Sequence, residues 1–492
     1  MTEQRLYGNW LRPQSLSIRG VGWKGALFAI GAYLSGLVVA QYDPRAGFVV
    51  LALCAVVTVA SATRVGGATL SGWTVGKARW LWARHTRRTS FRAITPNGWA
   101  LPGLLAQTRM LRVGSGGREY GAIHDPTARR VAVTLRAAST AADLTDLEQH
   151  DAGVGRWERW LEGLGRRPEV AWVSVTVETA PSPGTQLRDM VTRRIADRAP
   201  ADCRSLMHAL VDTSPGVAAR TDTRVTVTFD LRAWDAQVGW RARREGIAAY
   251  LPVLDRAVGG LESTLDGCGV TVLGRATPDE LSAVARVAFD PASSGDVELA
   301  MAEARGDIPE WEYAGPVAAD ELPGAYRHDS GISVSFAWSQ APRQLVTSTV
   351  LDAIARPGRH RKRFTCTYLA TPTSDAMDAA TAQVRWRWFA QMISRLPVIG
   401  RATTAQDERD AAAAEQATHE VAAGAGWVAQ TVAVTVTVLD NTDLAAAVAE
   451  VEHAAGASQL RLRQLFELQA AGFLAGLPAG LSLTELARRW SR

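Results

Sequence analysis

The sequence predicts an α+β protein: an N-terminal transmembrane helical hairpin followed by a duplicated β-α-β cytoplasmic region, each half of ferredoxin-like order. Three observations carry this expectation. Gly25–Ala40 and Phe48–Ala62 are neighbouring apolar runs without a charge. From about Arg118 onward, runs of period two alternate with helical spacing. The signals of residues 118–315 then return in the same order across 316–492.

Residues 1–20 read as a cytoplasmic tail and 21–63 as the hairpin. Each apolar run falls short of the roughly 20 residues that a spanning helix needs. Adding Val21–Trp23 to the first, and Gly47 and Thr63 to the second, brings both close, with Lys24 able to snorkel. The flanks are basic: Arg5, Arg12, Arg19 and Lys24 before, and Arg64, Lys77, Arg79, Arg84, Arg87, Arg88 and Arg92 after. The turn Gln41–Gly47 carries only Arg45. By the positive-inside rule both termini then face the cytoplasm, across the inner membrane. The competing reading is a buried helical hairpin. Residues 64–117 form a basic juxtamembrane segment, and Arg84, Arg87, Arg88 and Arg92 are its candidate contacts for anionic lipid or for a partner's acidic face. Direct nucleic-acid binding is the weakest use of this patch, because a phosphate site needs a broader basic surface.

In 118–315, Val131, Val133 and Leu135 alternate with Ala132, Thr134 and Arg136; Val173, Val175 and Val177 with Ser174, Thr176 and Glu178; and Val225, Val227 and Phe229 with Thr226, Thr228 and Asp230. Each reads as a strand with one buried face. Leu187, Met190, Val191 and Ile195, then Leu206, Met207, Leu210 and Val211, recur at helical spacing. Another helix runs from Tyr250 to Leu265, a fourth strand covers Gly269–Leu273, and Thr277-Pro278-Asp279-Glu280 reads as a capped helix start. In 316–492, Ile332–Trp338, Phe364–Tyr368 and Val432–Val438 are the matching strands. An alanine-rich helical stretch covers Ser374–Val421, a helix carries Leu444, Val448 and Val451, and Leu460–Leu465 closes the order. His124-Asp125 and His328-Asp329 precede the first strand of each half.

The composition is that of a globular chain: 492 residues, 47% apolar and 21% charged. A net charge of +5, spread along the chain, does not single out a nucleic-acid partner. Cys54, Cys203, Cys268 and Cys366 form no CxxC pair, which points away from a disulfide framework or zinc site and fits a reducing compartment. Gly76-Lys77 is followed by Ala78 rather than Ser or Thr, so no phosphate-cradling loop is formed. His419-Glu420 lacks zinc-protease spacing. Adjacent residues on a strand point to opposite faces, so each His-Asp pair reads as a turn feature rather than an acid–base pair. No catalytic, cofactor-binding or metal-ligating residues are expected.

The hairpin, together with "EVAWVSVTVETAPSPG", "DTRVTVTFD", "GCGVTVLGRAT", "YRHDSGISVSFAWSQAPRQLVTS" and "GFLAGLP", resembles an actinobacterial integral membrane protein family of conjugation-type, type IV secretion-like gene clusters. The arrangement also resembles a PrgI-like hairpin joined to the non-motor N-terminal domain of a TrbE-like conjugation ATPase. Leu468–Gly480 is similar to the end of that domain, and the chain stops shortly afterward, with a capped helix at Ser482–Trp490. The resemblance implies a non-enzymatic inner-membrane scaffold that docks a separate motor ATPase and other membrane subunits, oligomerises within a complex, and contacts the lipid bilayer. Three alternatives stand beside it: a type VII secretion component, a membrane-bound enzyme with a deep polar pocket, and a DNA-contacting accessory protein with an arginine stripe.

Overall fold

The computed structural model describes residues 7–8, 17–18, 21–62, 64–65, 68–93, 101–114, 119–139, 147–182, 184–196, 198–213, 219–240, 242–303, 308–340, 342, 344–371, 415–416, 419 and 427–490. Two compact units share the chain: one holds residues 1–8, 90–373 and 425–492, the other Asn9–Thr89 and Ser374–Gly424. The alanine-rich stretch 374–421 lies outside the described residues apart from 415–416 and 419.

In the second unit, α1 (Trp23–Tyr42) and α2 (Pro44–Ala62) form a hairpin, followed by α3 (Leu70–His85). Only Asp43 separates α1 from α2, and its carboxylate accepts the Arg45 N–H at 2.9 Å, capping α2 with Pro44 in its first turn. Gly36 and Gly47 are buried in the hairpin. A Cβ at Gly36 would meet Leu51 at 3.0 Å, so the glycine sets how closely the helices approach.

The expected membrane hairpin is not found. Among the described residues, no helix is long and apolar enough to cross a membrane. The two-span inner-membrane topology is therefore corrected. The physical reason lies at the start of the first helix and in the length of the charge-free runs. Val21–Gly22, counted above toward the first span, pairs with Ser17–Ile18 as a short β-ribbon, so α1 begins only at Trp23. The uncharged runs Gly25–Ala40 and Phe48–Ala62 then rise roughly 24 and 22 Å, against about 30 Å of hydrocarbon.

Among the described residues, the first unit is built on one sheet of thirteen strands. They are β1 (Ser90–Arg92), β2 (Arg109–Val113), β3 (Tyr120–Asp125), β4 (Arg130–Ser139), β5 (Val170–Pro181), β6 (Ala219–Asp230) and β7 (Val270–Arg275). After these come β8 (Ala318–Glu321), β9 (Tyr326–His328), β10 (Gly331–Gln340), β11 (Arg361–Thr371), β12 (Trp427–Val438) and β13 (Arg461–Gln464). The order is β1-β8-β9-β10-β12-β11-β5-β6-β4-β3-β2, with β7 on β4 and β13 on β10. Every ladder is antiparallel.

This corrects the expected ferredoxin-like halves. The two halves share a pairing scheme: β6 lies between β4 and β5, and β12 lies between β10 and β11. They are not separate domains, because β5 and β11 pair directly from Lys362↔Thr179 to Tyr368↔Val173. The edge that each half would present alone is used up in this join. Matching turns follow β6 and β12, where Asp230 and Asp440 accept the N–H groups of Arg232 and Thr442 at 2.9 and 3.0 Å.

One sheet face carries two apolar cores. Val131, Val133, Leu135, Val225, Val227 and Phe229 pack with α4 (Leu147–Leu164) and, after α5 (Thr185–Arg194) and α6 (Ala201–Thr213), with α7 (Leu251–Leu265). Helices α8 (Pro278–Phe289) and α9 (Ser294–Glu303) follow. On the same face of the second half, Val334, Phe336, Phe364, Val432, Val434 and Val436 pack with α10 (Leu444–Ala457).

The opposite face is polar in sequence, yet buried. Hydroxyl pairs cross it at Thr134–Thr226 (2.9 Å), Ser174–Thr367 and Thr176–Thr365 (3.1 Å each), Ser335–Thr435 (2.9 Å) and Ser333–Thr437 (2.7 Å). Such cross-strand pairs satisfy groups that burial would otherwise penalise. Covering them is the C-terminal segment with α11 (Gln469–Ala475) and α12 (Leu483–Trp490), in which residues 469–482 are all buried. Gln469 is fully buried; its amide oxygen accepts the Ser335 N–H at 2.7 Å and its amide nitrogen donates to the Leu465 carbonyl at 2.9 Å.

Glu321 ties this segment down from β8. One carboxylate oxygen accepts the Ala470 N–H at 3.0 Å, while the other is buried without a partner. Burial pushes its carboxyl up to about 7, against the pull of the Ala470 and Gln469 N–H groups and helped by Glu467. A carboxyl raised in the folded state favours the fold while protonated, so its contribution fades as pH rises from about 4.5 through 7. Glu321→Gln is expected to gain stability relative to wild type between pH 5 and pH 8, by at most about 3 kcal/mol. Paired urea titrations at both pH values test this; a difference that does not change with pH would refute the assignment.

Candidate functional site: an arginine-walled cavity

A cavity of about 560 Å³ lies between the polar sheet face and helices α8 and α9. The sheet wall brings together Arg136 of β4, Arg220, Asp222 and Arg224 of β6, Glu178 of β5 and Arg361 of β11. Register explains the convergence: Arg224 lies opposite Arg136, Glu178 opposite Asp222, and Arg363 opposite Glu178. The helix wall is mostly apolar, with Leu281, Val284 and Val287 from α8 and Val297 and Met301 from α9, and it also carries Glu280, Ser294 and Glu298. Helix α8 is held in place by the capping box at Thr277: Glu280 N–H donates to the Thr277 hydroxyl at 3.2 Å, and Thr277 N–H to the Glu280 carboxylate at 2.8 Å. A Cβ on Gly121 would meet Leu281 at 2.7 Å and the Pro278 backbone at 3.1 Å, so this glycine lets α8 seat against β3.

Glu178 is the centre of the charge network. Its carboxylate pairs with Arg224 and, at 2.8 Å, with Arg361. Burial alone would raise its pKa, but Arg224, Arg361 and Arg363 outweigh that and hold it at about 2. Arg363 is 2% exposed and lies over the Phe473 ring at 4.4 Å, and both of its terminal nitrogens lack a hydrogen-bond partner. Burial lowers Arg363 to about 10, so it stays charged at neutral pH. At the rim, Arg136 pairs with Glu280 at 2.6 Å and Arg220 with Asp222 at 2.7 Å.

The residues singled out from sequence lie elsewhere. Arg84 stacks over Trp80 at 5.5 Å and Arg88 over Trp82 at 4.7 Å, both on α3 or just past it, and Arg87 sits in the following turn at φ 57°. Arg92 belongs to the other unit, on β1, where it pairs with Asp320 at 2.9 Å. His328 is fully buried; its Nδ1–H donates to the Phe289 carbonyl at 2.7 Å and its Nε2 accepts the Ser333 hydroxyl at 2.8 Å. Burial drives it down to about 4, so it is neutral at pH 7. Asp329 accepts the Val317 and Ala318 N–H groups at 2.8 and 3.1 Å, and Asp125 accepts that of Ala128 at 2.9 Å, so both carboxylates organise turns.

His124 does line a second, open cleft of about 540 Å³, with Arg129, Trp240, Arg244 and Tyr250. There Arg129 pairs with Asp235 at 2.6 Å, and the Tyr250 hydroxyl donates to Asp235 at 2.7 Å. Arg129, Asp235 and Tyr250 bond one another there, and the Asp125 carboxylate next to His124 accepts the Ala128 N–H. Among the described residues, no group of His, Cys, Asp and Glu could hold a metal ion.

Sequence reasoning missed the cavity. A signal was present in Glu178, an acid inside a valine-rich strand, and in Arg361 and Arg363, alternating with the apolar face of β11. Scanned against protein-family models and searched against curated proteins, the chain gives no match.

Proposed function

We propose that this chain is a non-enzymatic scaffold of a conjugation-type DNA-transfer or type IV-like secretion apparatus, docking a separate motor ATPase. The motif resemblance supplies the system. The observation that carries the docking role is the α5–α6 pair. Every residue from Ala201 to Leu210 on α6 is exposed, including Leu206 at 61% and Leu210 at 56%, and Met190 of α5 is 43% exposed. An apolar stripe that the protein's own core leaves uncovered suits a partner surface. Helix α5 is tied to α9, where the Thr185 hydroxyl donates to the Gly295 carbonyl at 3.3 Å.

The test is co-purification with a conjugation-type motor ATPase from the native cell. Leu206→Asp with Leu210→Asp is expected to weaken the complex at least about tenfold, since each removes a buried apolar contact and adds an unpaired charge. Exposed positions tolerate such changes within about 0.5 kcal/mol of fold stability. Undiminished binding by the double variant, or no complex with wild type, would sink the proposal. Capture of a multi-domain type VII motor instead would reassign the system.

A further inference from the structure

We propose that the arginine-walled cavity binds an amphipathic anion, with its acidic head on the sheet wall and an alkyl chain against α8 and α9. The volume of about 560 Å³ is that of a small-molecule site. Its two walls differ in emphasis: guanidinium groups of Arg136, Arg220, Arg224 and Arg361 dominate one side, and Val284, Val287, Val297 and Met301 make most of the other, beside Glu280, Ser294 and Glu298. A wholly polar ligand leaves the second wall unused, and a wholly apolar one leaves the first desolvated without compensation.

The sign of the head group follows from donor arithmetic. Glu178 already accepts from Arg224 and Arg361, Glu280 from Arg136 and the Thr277 N–H, and Asp222 from Arg220. The acids on this wall are committed, whereas each guanidinium carries about five N–H donors and these pairs use only part of them. Behind the wall, Arg363 adds a further buried positive charge with two unpartnered nitrogens. Glu298 of α9 also lines the cavity, so four carboxylates face four guanidinium groups and the lining charge is balanced. The surplus lies in N–H donors and in the buried charge of Arg363 behind the wall, and a carboxylate or phosphate head supplies the missing acceptors.

Titration calorimetry of the full-length protein with dodecanoate tests this, with acetate and dodecyl maltoside as controls for head and tail. Dodecanoate is expected to bind at least about thirtyfold more tightly than either control. Val287→Trp fills the apolar wall and is expected to abolish binding. Met301→Phe, on the other helix, is expected to weaken it, and it keeps the test open if the tryptophan variant unfolds. Arg220→Gln is expected to weaken dodecanoate about tenfold and leave the maltoside unchanged. Absence of dodecanoate binding, equal binding of the uncharged amphiphile, or binding indifferent to folded variants of both helices would overturn the proposal.

Discussion

Replacing Glu178 with alanine is expected to destabilise the first unit by about 3–5 kcal/mol, the cost of leaving buried charge uncompensated. Glu178 is 6% exposed and anchors Arg224 of its own half and Arg361 of the other, with Arg363 opposite it across the β5–β11 join. Its removal leaves the three guanidinium groups to repel one another at the seam. The pair has a built-in comparison. Asp222 pairs with Arg220 on the same face, but those side chains are 37% and 55% exposed, so Asp222→Ala is expected to cost below about 1 kcal/mol. Urea unfolding of both variants decides the matter: a Glu178→Ala cost no larger than that of Asp222→Ala would show that the network does not hold the join.

The same residue sets an acid limit. Its carboxyl is held at about 2, below the ordinary value of 4.5, so its contribution is complete above pH 4.5 and drains away as pH falls toward 2. His328 acts in the same direction at higher pH. Depressed to about 4 from 6.5, it stabilises the fold above pH 6.5 and loses that contribution as pH falls through 4.

Gly480→Ala is expected to cost about 2–4 kcal/mol, from two separable sources. Gly480 has φ 67°, a conformation that costs a residue with a Cβ roughly 1–2 kcal/mol. Its added Cβ would also overlap that of Ala132 and approach the Thr228 hydroxyl at 2.9 Å. Gly103 isolates the first source: it has φ 58° but open space around a Cβ. Gly103→Ala should therefore cost only the backbone part. Equal losses for the two variants would mean that the C-terminal segment does not press on the sheet as tightly as the geometry states. The neighbouring glycine of the "GFLAGLP" string, Gly472, meets Ser335 in the same way. This string therefore has a packing reason: small residues let a buried segment lie directly on a hydroxyl-lined face.

Local signals in the chain were informative wherever the physics is local. The alternating valines of 131–135, 173–177, 225–229 and 432–438 all fall in strands, and the Thr277 capping box and the Ser482 cap, whose hydroxyl accepts the Glu485 N–H at 3.3 Å, are in place. The short strands Ser90–Arg92 and Arg109–Val113 were not legible, because a few residues give no period to read. The apolar runs near the N-terminus were legible as helices, but the start of the first was misjudged, because Val21–Gly22 turned out to pair as a ribbon instead of extending that helix.

Sequence by itself determined the long strands, most of the helices and which strand face is apolar, since those follow from period and propensity over a window of residues. The tertiary structure alone decided that the Ser/Thr face is buried as well. Alternation marks a polar face, but it does not say whether water or a glycine-rich segment covers it: Thr228 and the Gly480 carbonyl that accepts from it at 3.4 Å are 252 positions apart. It also decided that Arg224 and Arg361, 46 and 183 positions from Glu178, meet on one carboxylate, because strand order and register are set by the packing of the whole sheet. The candidate site exists only after that register is chosen, which is why its residues read in sequence as ordinary polar positions.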